Sequence, residues 1–443
     1  MDAVDTLIHA RWVIPVEPQG QVLDHHSIAI HNGRIRAILP TSEAKQQFSA
    51  QHNHELNSHA LIPGLINTHT HAAMTLFKGL ADDLPLMEWL NEHIWPAEAT
   101  WVNYDFVSDG THLAIAEMIR GGTTCFNDMY FFPDETARVA SQCGIRANVG
   151  MIVIDFPTVW AKDSDEYIHK GLEVHDYYRN SPLIHTCFAP HAPYTVSNAP
   201  LEKISTLADE LDVPVHIHVH ETEFEVNQSI EQHQLRPLQR LEQLGLVSPR
   251  LLAVHMTQLS DSEIQRLAEA GCHVAHCPES NLKLASGFSP VAKLVEAGVN
   301  VCLGTDGAAS NNDLDMLGEM KTAALLAKAV AQNASAISAE QALAMATING
   351  AKALGLDQDI GSLVTGKAAD ITAINLGALE SQPVYHPISH IVYATSRHQV
   401  SDVWVNGHQL LNNRTFTQLD EAAIVAKAQQ WQEKILKSDS DGK

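Results

Sequence analysis

The stretch Leu61-Ile-Pro-Gly-Leu-Ile-Asn-Thr-His-Thr-His71 decides the fold prediction. Its apolar residues predict a buried strand, and His69 and His71 stand one residue apart at the end of that strand. Side chains two positions apart on a strand leave from the same face, so both imidazoles point in one direction. A catalytic zinc site needs three protein ligands, so the pair supplies part of one. Two unrelated histidines at a polar strand end remain the alternative.

Short apolar runs rich in β-branched residues recur along the chain. With the opening stretch, they predict eight strands, at 61–71, 123–129, 146–155, 184–191, 214–221, 251–256, 273–278 and 301–306. Helical periodicity follows seven of these runs, for instance at 199–211 and 261–270. The alternation predicts parallel βα units, and eight such units close a (β/α)8 TIM barrel of the α/β class.

Polar residues crowd the carboxyl ends of the predicted strands. In a closed parallel barrel these ends converge on one mouth, whereas an open doubly wound sheet, the weaker alternative, would spread them along a row. The residues concerned are His69, His71, His191, His218, Glu221, His255 and Asp306.

The two ends of the chain show a different pattern. Residues 1–60 and 360–411 alternate between apolar and polar residues, and the pairs Asn32-Gly33 and Asn406-Gly407 are typical of hairpin turns. We expect 1–60 and 360–443 to form one small discontinuous β-sandwich domain beside a barrel domain at 61–359. A helix is predicted over 421–437, and the end at 438–443 is expected to be loose.

The composition argues against several kinds of binding partner. A formal charge of −24 repels phosphate backbones and anionic lipid, so nucleic acid and membranes are poor partners. No apolar run reaches the length of a membrane span, about 18 residues, and the acidic N-terminus is unlike a signal peptide. We therefore expect a cytoplasmic protein. Its six cysteines lie mostly in apolar runs, which predicts reduced, buried thiols.

Several residues offer metal-site chemistry. His216, His218 and His220 share one face of the fifth predicted strand, and their spacing does not choose among them. Asp306 lies in a glycine-flanked turn, where its carboxylate could approach a metal or simply cap the turn. Glu221 follows the three histidines and could move a proton between a metal-bound water and a substrate. A solvated glutamate at a strand end is the alternative.

Competing metal motifs fail. Phe224 stands where a helical zinc protease needs its second histidine after His220-Glu221, and no Pro-Cys-x-x-Cys pair of the small zinc cytidine deaminases is present. His273, His276, Cys272 and Cys277 alternate along the seventh predicted strand, a pattern that favours core packing over a second metal site.

The motifs together resemble those of the amidohydrolase superfamily, and within it the subgroup of methylthioadenosine and adenosylhomocysteine deaminases, guanine deaminase and triazine chlorohydrolases. The resemblance covers nearly the whole chain. It rests on Pro63-Gly-Leu-Ile-Asn-Thr-His-Thr-His71, Gly121-Gly-Thr-Thr124, His218-x-x-Glu221, His255, His276-Cys-Pro-Glu-Ser-Asn281, Gly304-Thr-Asp-Gly307 and Gly361-Ser-Leu-Val-Thr-Gly-Lys-Ala-Ala-Asp370.

This resemblance implies a set of site residues. The metal ligands would be His69, His71, His218 and Asp306. Glu221 would be the proton shuttle, and His255 would orient and polarise the attacking water. The fourth strand lacks the bridging lysine of the two-metal members, which implies one metal ion per subunit. Zinc is expected, although Fe²⁺ and Mn²⁺ accept the same ligands.

The implied reaction is hydrolytic deamination of an adenosine-type nucleoside, 5'-methylthioadenosine or S-adenosylhomocysteine, to the inosine analogue and ammonia. Asp306 would accept the proton of the attacking water, and Glu221 would protonate the ring nitrogen. Glu98 would contact the ribose hydroxyls, His191 the purine or sugar, and Arg146 the substrate tail. A second arginine near the tail is not evident, and Phe156, Pro157 and Trp160 favour a methylthio group.

Two other functions stay open. The enzyme could instead act on a ring without ribose, such as guanine, a cytosine-like base or an s-triazine, with deamination or dechlorination. The chain could also be an assembly protein that has lost its chemistry, a reading that predicts missing ligands, whereas every ligand position holds a competent residue. A homo-oligomer, dimer or tetramer, is expected.

Overall fold

The computed structural model describes residues 1–441. One of its two sheets has eight parallel strands, hydrogen-bonded in chain order. Where the eighth strand meets the first, Thr68 donates to the carbonyl of Leu303 (2.7 Å) and the Asp306 N–H donates to the carbonyl of His69 (3.0 Å). The barrel is therefore nearly closed, and the predicted TIM barrel is confirmed. Its strands are Leu65–Thr70, Thr123–Asp128, Arg146–Val153, Ile184–Pro190, Val215–Val219, Leu251–His255, His273–His276 and Asn300–Leu303.

Helices follow the barrel strands and cover them. Several begin at side chains that cap the first free backbone N–H groups: Asn103, Asp163, Thr222, Ser260 and Ser338 each accept from the residue three positions later. The helices predicted at 199–211 and 261–270 are observed. The main helices are Tyr104–Arg120, Pro133–Cys143, Ser164–Tyr178, Asn198–Leu211, Glu223–His233, Pro237–Gln243, Asp261–Ala270, Pro278–Lys283, Val291–Glu296, Met316–Ala331, Ala339–Met345 and Ile348–Ala353.

Shorter helical segments follow the first strand. They carry the chain across the barrel mouth before the first long helix. They comprise Ala72–Phe77, Leu86–Glu88, Trp89–Ile94 and Trp95–Trp101.

The opening stretch divides at Gly64, which corrects the prediction of one strand over 61–71. Residues up to Pro63 pair with Ile371–Asn375 in the second sheet, and the barrel strand begins only at Leu65. A Cβ at Gly64 would overlap the side chain of Thr124, so only glycine lets the first barrel strand lie this close to the second. The chain thus passes from one sheet into the other at Gly64.

The terminal segments form one mixed sheet of nine strands. Both predicted turns are present, with φ of 52° at Asn32 and 48° at Asn406. Ile8, Ile371 and Trp404 share a buried cluster, so strands from both ends of the chain pack against the same core residues. The strands are Asp2–Val13, Leu23–Asp24, His26–His31, Arg34–Pro40, Phe48–Pro63, Ile371–Asn375, Val400–Val405, His408–Asn412 and Thr415–Phe416.

The C-terminal helix, Glu421–Asp441, packs on the barrel helix Tyr104–Arg120. The indole N–H of Trp431 donates to Asp109 (2.9 Å), and its ring lies 5.2 Å from that of Phe106. The predicted helix is present but ends later than residue 437. Of the end expected to be loose, residues 442–443 lie outside the described residues.

All six cysteines lie within the described residues, and each is a free, buried thiol, as predicted. Among residues 1–441, no helix combines the length and apolarity needed to cross a bilayer.

Candidate active site

Four predicted metal ligands meet at the carboxyl end of the barrel. One ligand atom from each of His69, His71, His218 and Asp306 lies within 4.8 Å of the others. Asp306 Oδ1 lies 3.2 Å from Nε2 of both His69 and His71, and Nε2 of His218 lies 3.2 Å from that of His69. The barrel has brought together residues that stand more than two hundred positions apart.

The outward nitrogen of each imidazole has a hydrogen-bonding partner. Nδ1 of His71 donates to the carbonyl of Met129 (2.6 Å), and Nδ1 of His218 donates to that of His191 (2.7 Å). Nδ1 of His69 contacts Nε2 of His216 (2.9 Å). Each ring therefore turns its Nε2 inward, and nitrogen lone pairs this close repel unless a proton or a metal cation lies between them. Three imidazole nitrogens and one carboxylate suit a catalytic zinc ion.

Asp306 follows the eighth strand in a left-handed conformation, with φ of 63°. Gly304 makes this approach possible, because a Cβ there would lie 2.7 Å from the Cβ of His69. The second carboxylate oxygen, Oδ2, accepts a hydrogen bond from Ser280 (2.6 Å). The Asp306 carboxylate thus contacts His69 and His71 through Oδ1 and Ser280 through Oδ2.

The charges within the cluster are strongly coupled. Burial would raise the pKa of Asp306, but His69 and His71 hold it well below its usual range. Burial opposes the charged form of His71, yet the hydrogen bond and charge of Asp306 raise its pKa to about 9. Burial dominates at His69 and lowers its pKa to about 4. The carboxylate therefore stays ionised, as a metal ligand must.

The structure distinguishes the three histidines of the fifth strand. His218 faces the cluster, and His216 lies behind His69. His220 leaves the strand with φ of 55°; its Nε2 accepts from the Leu238 N–H (3.1 Å) and its Nδ1 donates to the carbonyl of Gln258 (3.1 Å). His220 is consequently a buried structural histidine. The alternate spacing of the three residues predicts that they share one face of the strand, but His220 turns away from the other two.

Glu221 and His255 lie together beside the cluster. His255 Nε2 is 3.8 Å from Glu221 Oε2, and its Nδ1 donates to Asn281 Oδ1 (2.8 Å), which fixes the ring. Burial raises the pKa of Glu221, while the nearby His255 opposes the rise. A carboxyl that holds its proton more tightly than usual can act as a general acid.

A cavity of about 540 Å³ opens onto these groups. Most of its lining is apolar or aromatic, and it includes no lysine or arginine from the described residues. Glu98 and His191 line it as expected, and burial raises the pKa of Glu98 to about 7 while Tyr130 and His71 lower it. Burial lowers the pKa of His191 to about 3, so this ring is neutral. Other lining residues include Trp89, Trp95, Met129, Ile152, Phe156, Pro157, Val159, Tyr194 and Leu284.

Arg146 lies elsewhere, which corrects its prediction as a substrate contact. It begins the third barrel strand, at the end opposite the mouth. Its buried guanidinium pairs with Asp370 at 3.0 and 3.2 Å and donates to the carbonyl of Pro182 (2.6 Å). The arginine joins the barrel to the terminal sheet, where no substrate in the cavity reaches it. Trp160 is likewise absent from the lining.

Sequence reasoning assigned no role to Ser280 and Asn281, which hold Asp306 and His255. The motif His276–Asn281 was the signal, because a short polar run after a buried strand places side chains at the barrel mouth.

Comparison with known proteins agrees with this geometry. The model of the amidohydrolase family matches residues 60–410. The chain belongs to the amidohydrolase family.

Two relatives of this amidohydrolase are close. It is 52% identical to the 5-methylthioadenosine/S-adenosylhomocysteine deaminase of Saccharophagus degradans, over 99% of this chain and 98% of the other. A crystal structure of an adenosine deaminase from Xanthomonas campestris with bound zinc is 54% identical, has a TM-score of 0.98 and covers 98% and 99% of the two chains.

A more distant structure shares the fold of this amidohydrolase. The atrazine chlorohydrolase of Arthrobacter aurescens, complexed with zinc, is 24% identical with a TM-score of 0.90, covering 96% of this chain and 99% of that one. At this identity the likeness concerns the fold alone.

Proposed function

We propose that this amidohydrolase is a zinc-dependent aminohydrolase that deaminates an adenosine-type nucleoside, with 5'-methylthioadenosine as the preferred substrate. The observation that carries the proposal is the cluster of His69, His71, His218 and Asp306 at the base of a largely apolar cavity. Close relatives named as adenosine-type deaminases, one with zinc bound, support the same assignment.

One zinc ion per subunit would be held by those four residues, with Fe²⁺ or Mn²⁺ as possible substitutes. Zinc, when bound, supplies Lewis acidity that brings the pKa of water toward about 7. Asp306 is held in its unprotonated form, and its carboxylate would take the proton of the attacking water and pass it to the departing amine, which leaves as ammonia. Glu221, with its raised pKa, donates a proton to the ring nitrogen next to the amine-bearing carbon. The fixed ring of His255 turns Nε2 toward the same space and orients the attacking water.

The cavity lining supports the choice of substrate. Glu98 offers a carboxylate to the ribose hydroxyls, and His191 offers a neutral ring nitrogen to the purine or sugar. Phe156, Pro157 and Val159 present apolar surface suited to a methylthio group. An S-adenosylhomocysteine tail carries a carboxylate, and the described lining provides no cation to pair with it. Desolvating that carboxylate without a partner is costly, so methylthioadenosine is favoured.

The test is a screen of purified protein against adenosine analogues and free bases, with loss of adenine absorbance and ammonia release as readouts. We expect turnover of methylthioadenosine with a higher kcat/KM than S-adenosylhomocysteine. A chelator should abolish turnover and zinc should restore it. Absence of turnover with every adenosine analogue, or full activity of the metal-free protein, contradicts the proposal. Turnover of guanine, a cytosine-like base or an s-triazine, but of no adenosine analogue, would support the alternative substrate class.

Three expectations stay predictions with direct measurements. Elemental analysis of the purified protein tests for one zinc ion per chain. Sedimentation analysis tests for a dimer or tetramer. Fractionation of the source cells tests for a cytoplasmic location.

A further inference from the structure

Glu225 is a buried carboxylate in the first turn of the helix Glu223–His233, and only 4% of its surface is exposed. Its side chain points back to the end of the preceding strand. Oε2 accepts a hydrogen bond from the backbone N–H of Glu221 (2.7 Å), and Oε1 accepts one from that of His220 (3.0 Å). One carboxylate thus binds two successive peptide groups.

The backbone at the strand end is shaped for this contact. His220 has φ of 55°, and a left-handed residue can turn neighbouring N–H groups toward one point, as in anion-binding nests. On the other side of the same segment, Thr257 Oγ1 donates to the carbonyl of Glu221 (2.7 Å). The Glu221 residue is therefore held through its N–H by Glu225 and through its carbonyl by Thr257.

Glu225 does not line the main cavity, which Glu221 lines. It has no ion pair with a described cation, so its two oxygens are committed to the strand end. Burial raises the pKa of Glu225 to about 8, and the hydrogen bonds from the N–H groups of Glu221 and His220 oppose this rise. Glu225 is not needed to cap the helix, because Thr222 already does so, and both of its oxygens are hydrogen-bonded to the strand end instead.

We propose that Glu225 is a positioning residue, which holds the backbone of Glu221 so that the Glu221 carboxyl stands beside His255 and the metal cluster. The inference rests on the proposed function, since it assumes that Glu221 transfers the proton. Glu225 touches no reacting atom. A displacement of about 1 Å at a catalytic group can reduce the rate about 100-fold.

Glu225→Gln tests this with little change in volume. Glutamine has one acceptor oxygen, and its amide group faces the second N–H donor to donor. We expect kcat for methylthioadenosine to fall about 100-fold, with KM and bound metal close to wild type. Glu223→Gln is the matched control, because Glu223 lies in the same helical turn, is exposed and undergoes the same substitution; it should keep wild-type kcat.

A double-mutant comparison separates positioning from general damage. If Glu225 acts through Glu221, then Glu225→Gln should cause little further loss in a Glu221→Gln background. An undiminished loss in that background overturns the proposal. Should Glu225→Gln fold poorly, Glu225→Asp keeps the charge but shortens the reach and should show the same dependence on Glu221.

Hydrogen exchange gives a readout independent of turnover. The amides of His220 and Glu221 should exchange much faster in Glu225→Gln than in wild type or Glu223→Gln, while those of the barrel strand Leu251–His255 stay protected. Unchanged exchange at both amides overturns the positioning role. If wild type turns over no nucleoside, the proposed function fails, and the exchange result still decides whether Glu225 holds the strand end.

Discussion

His216 lies directly behind His69, one of the four proposed metal ligands, and does not line the cavity. Its Nε2 accepts from His69 Nδ1 at 2.9 Å, and its own Nδ1 is buried without a hydrogen-bond partner among the described residues. A ligand histidine with its outer nitrogen held in this way has a fixed tautomer and a fixed ring. We infer that His216 orients His69 for the metal.

The variant His216→Phe should therefore weaken metal binding by about 10- to 100-fold. Competition with a zinc chelator measures this without reference to activity. His169→Phe, on the exposed face of the helix Ser164–Tyr178, is the control and should bind zinc as wild type does. If His216→Phe and wild type bind zinc with equal affinity, the His69 ring needs no support from His216.

The second prediction at the scale of a single residue concerns Glu98. If its carboxylate binds the ribose hydroxyls, Glu98→Ala should raise KM for methylthioadenosine by about 10- to 100-fold, the worth of a hydrogen bond to a charged group. Glu92→Ala, nearby and exposed, should leave KM unchanged. Steady-state kinetics decides, and an unaltered KM in Glu98→Ala would favour a substrate without ribose.

At the level of elements, the barrel and the terminal sheet are joined by a buried ion pair. Arg146 begins a barrel strand, and Asp370 precedes the sheet strand Ile371–Asn375; the side chains of both are at most 4% exposed. Asp370 also accepts from the N–H of Asn406 (2.7 Å). The pair therefore ties a barrel strand to two parts of the terminal sheet.

Arg146→Met should lower the free energy of unfolding by about 3–5 kcal/mol, because it leaves a buried carboxylate without its partner. KM for the nucleoside should not change, since the residue is remote from the cavity. Replacing both partners, as Arg146→Met with Asp370→Leu, should recover much of the lost stability. Denaturant unfolding and kinetics on wild type and the two variants test this, and a raised KM with unchanged stability would restore the role of Arg146 at the substrate.

For the whole molecule, buried neutral histidines link stability to pH. Burial and the nearby Arg146 lower the pKa of His185 from 6.5 to about 4, and its Nε2 has no hydrogen-bond partner among the described residues. As pH falls below 6.5, His185 binds a proton in the unfolded chain, whereas in the folded state it stays neutral until the pH approaches 4. The stabilisation is thus complete above pH 6.5 and is lost as pH falls toward 4.

The free energy of unfolding should accordingly fall by about 1.4 kcal/mol per pH unit for each such histidine in this window. His185→Gln should have a shallower slope than wild type in urea unfolding between pH 6.5 and 5. Substituting the exposed His169 by glutamine should leave the slope unchanged. Parallel slopes for His185→Gln and wild type would mean that His185 is protonated in the folded state.

Local patterns determined most of the architecture. Strand and helix periodicities depend on neighbours within a few residues, so they predicted the eight barrel units and both hairpin turns. The break at Gly64 was not visible, because the apolar run continues through it and only the approach of Thr124 requires glycine there.

Some features of the candidate site could be predicted from the sequence, and others depended on the tertiary structure. Sequence alone determined which chemistry is available, since His69, His71 and Asp306 stand at strand ends that only a barrel gathers. Spacing did not distinguish the three histidines of the fifth strand. In the structure the backbone turns at His220 and His216 contacts His69, so that His218 is the one of the three that faces the cluster. Arg146 pairs with Asp370, more than two hundred residues away in sequence, because its strand begins at the end of the barrel opposite the cavity. Such pairings depend on where distant segments meet in space, which no local pattern encodes.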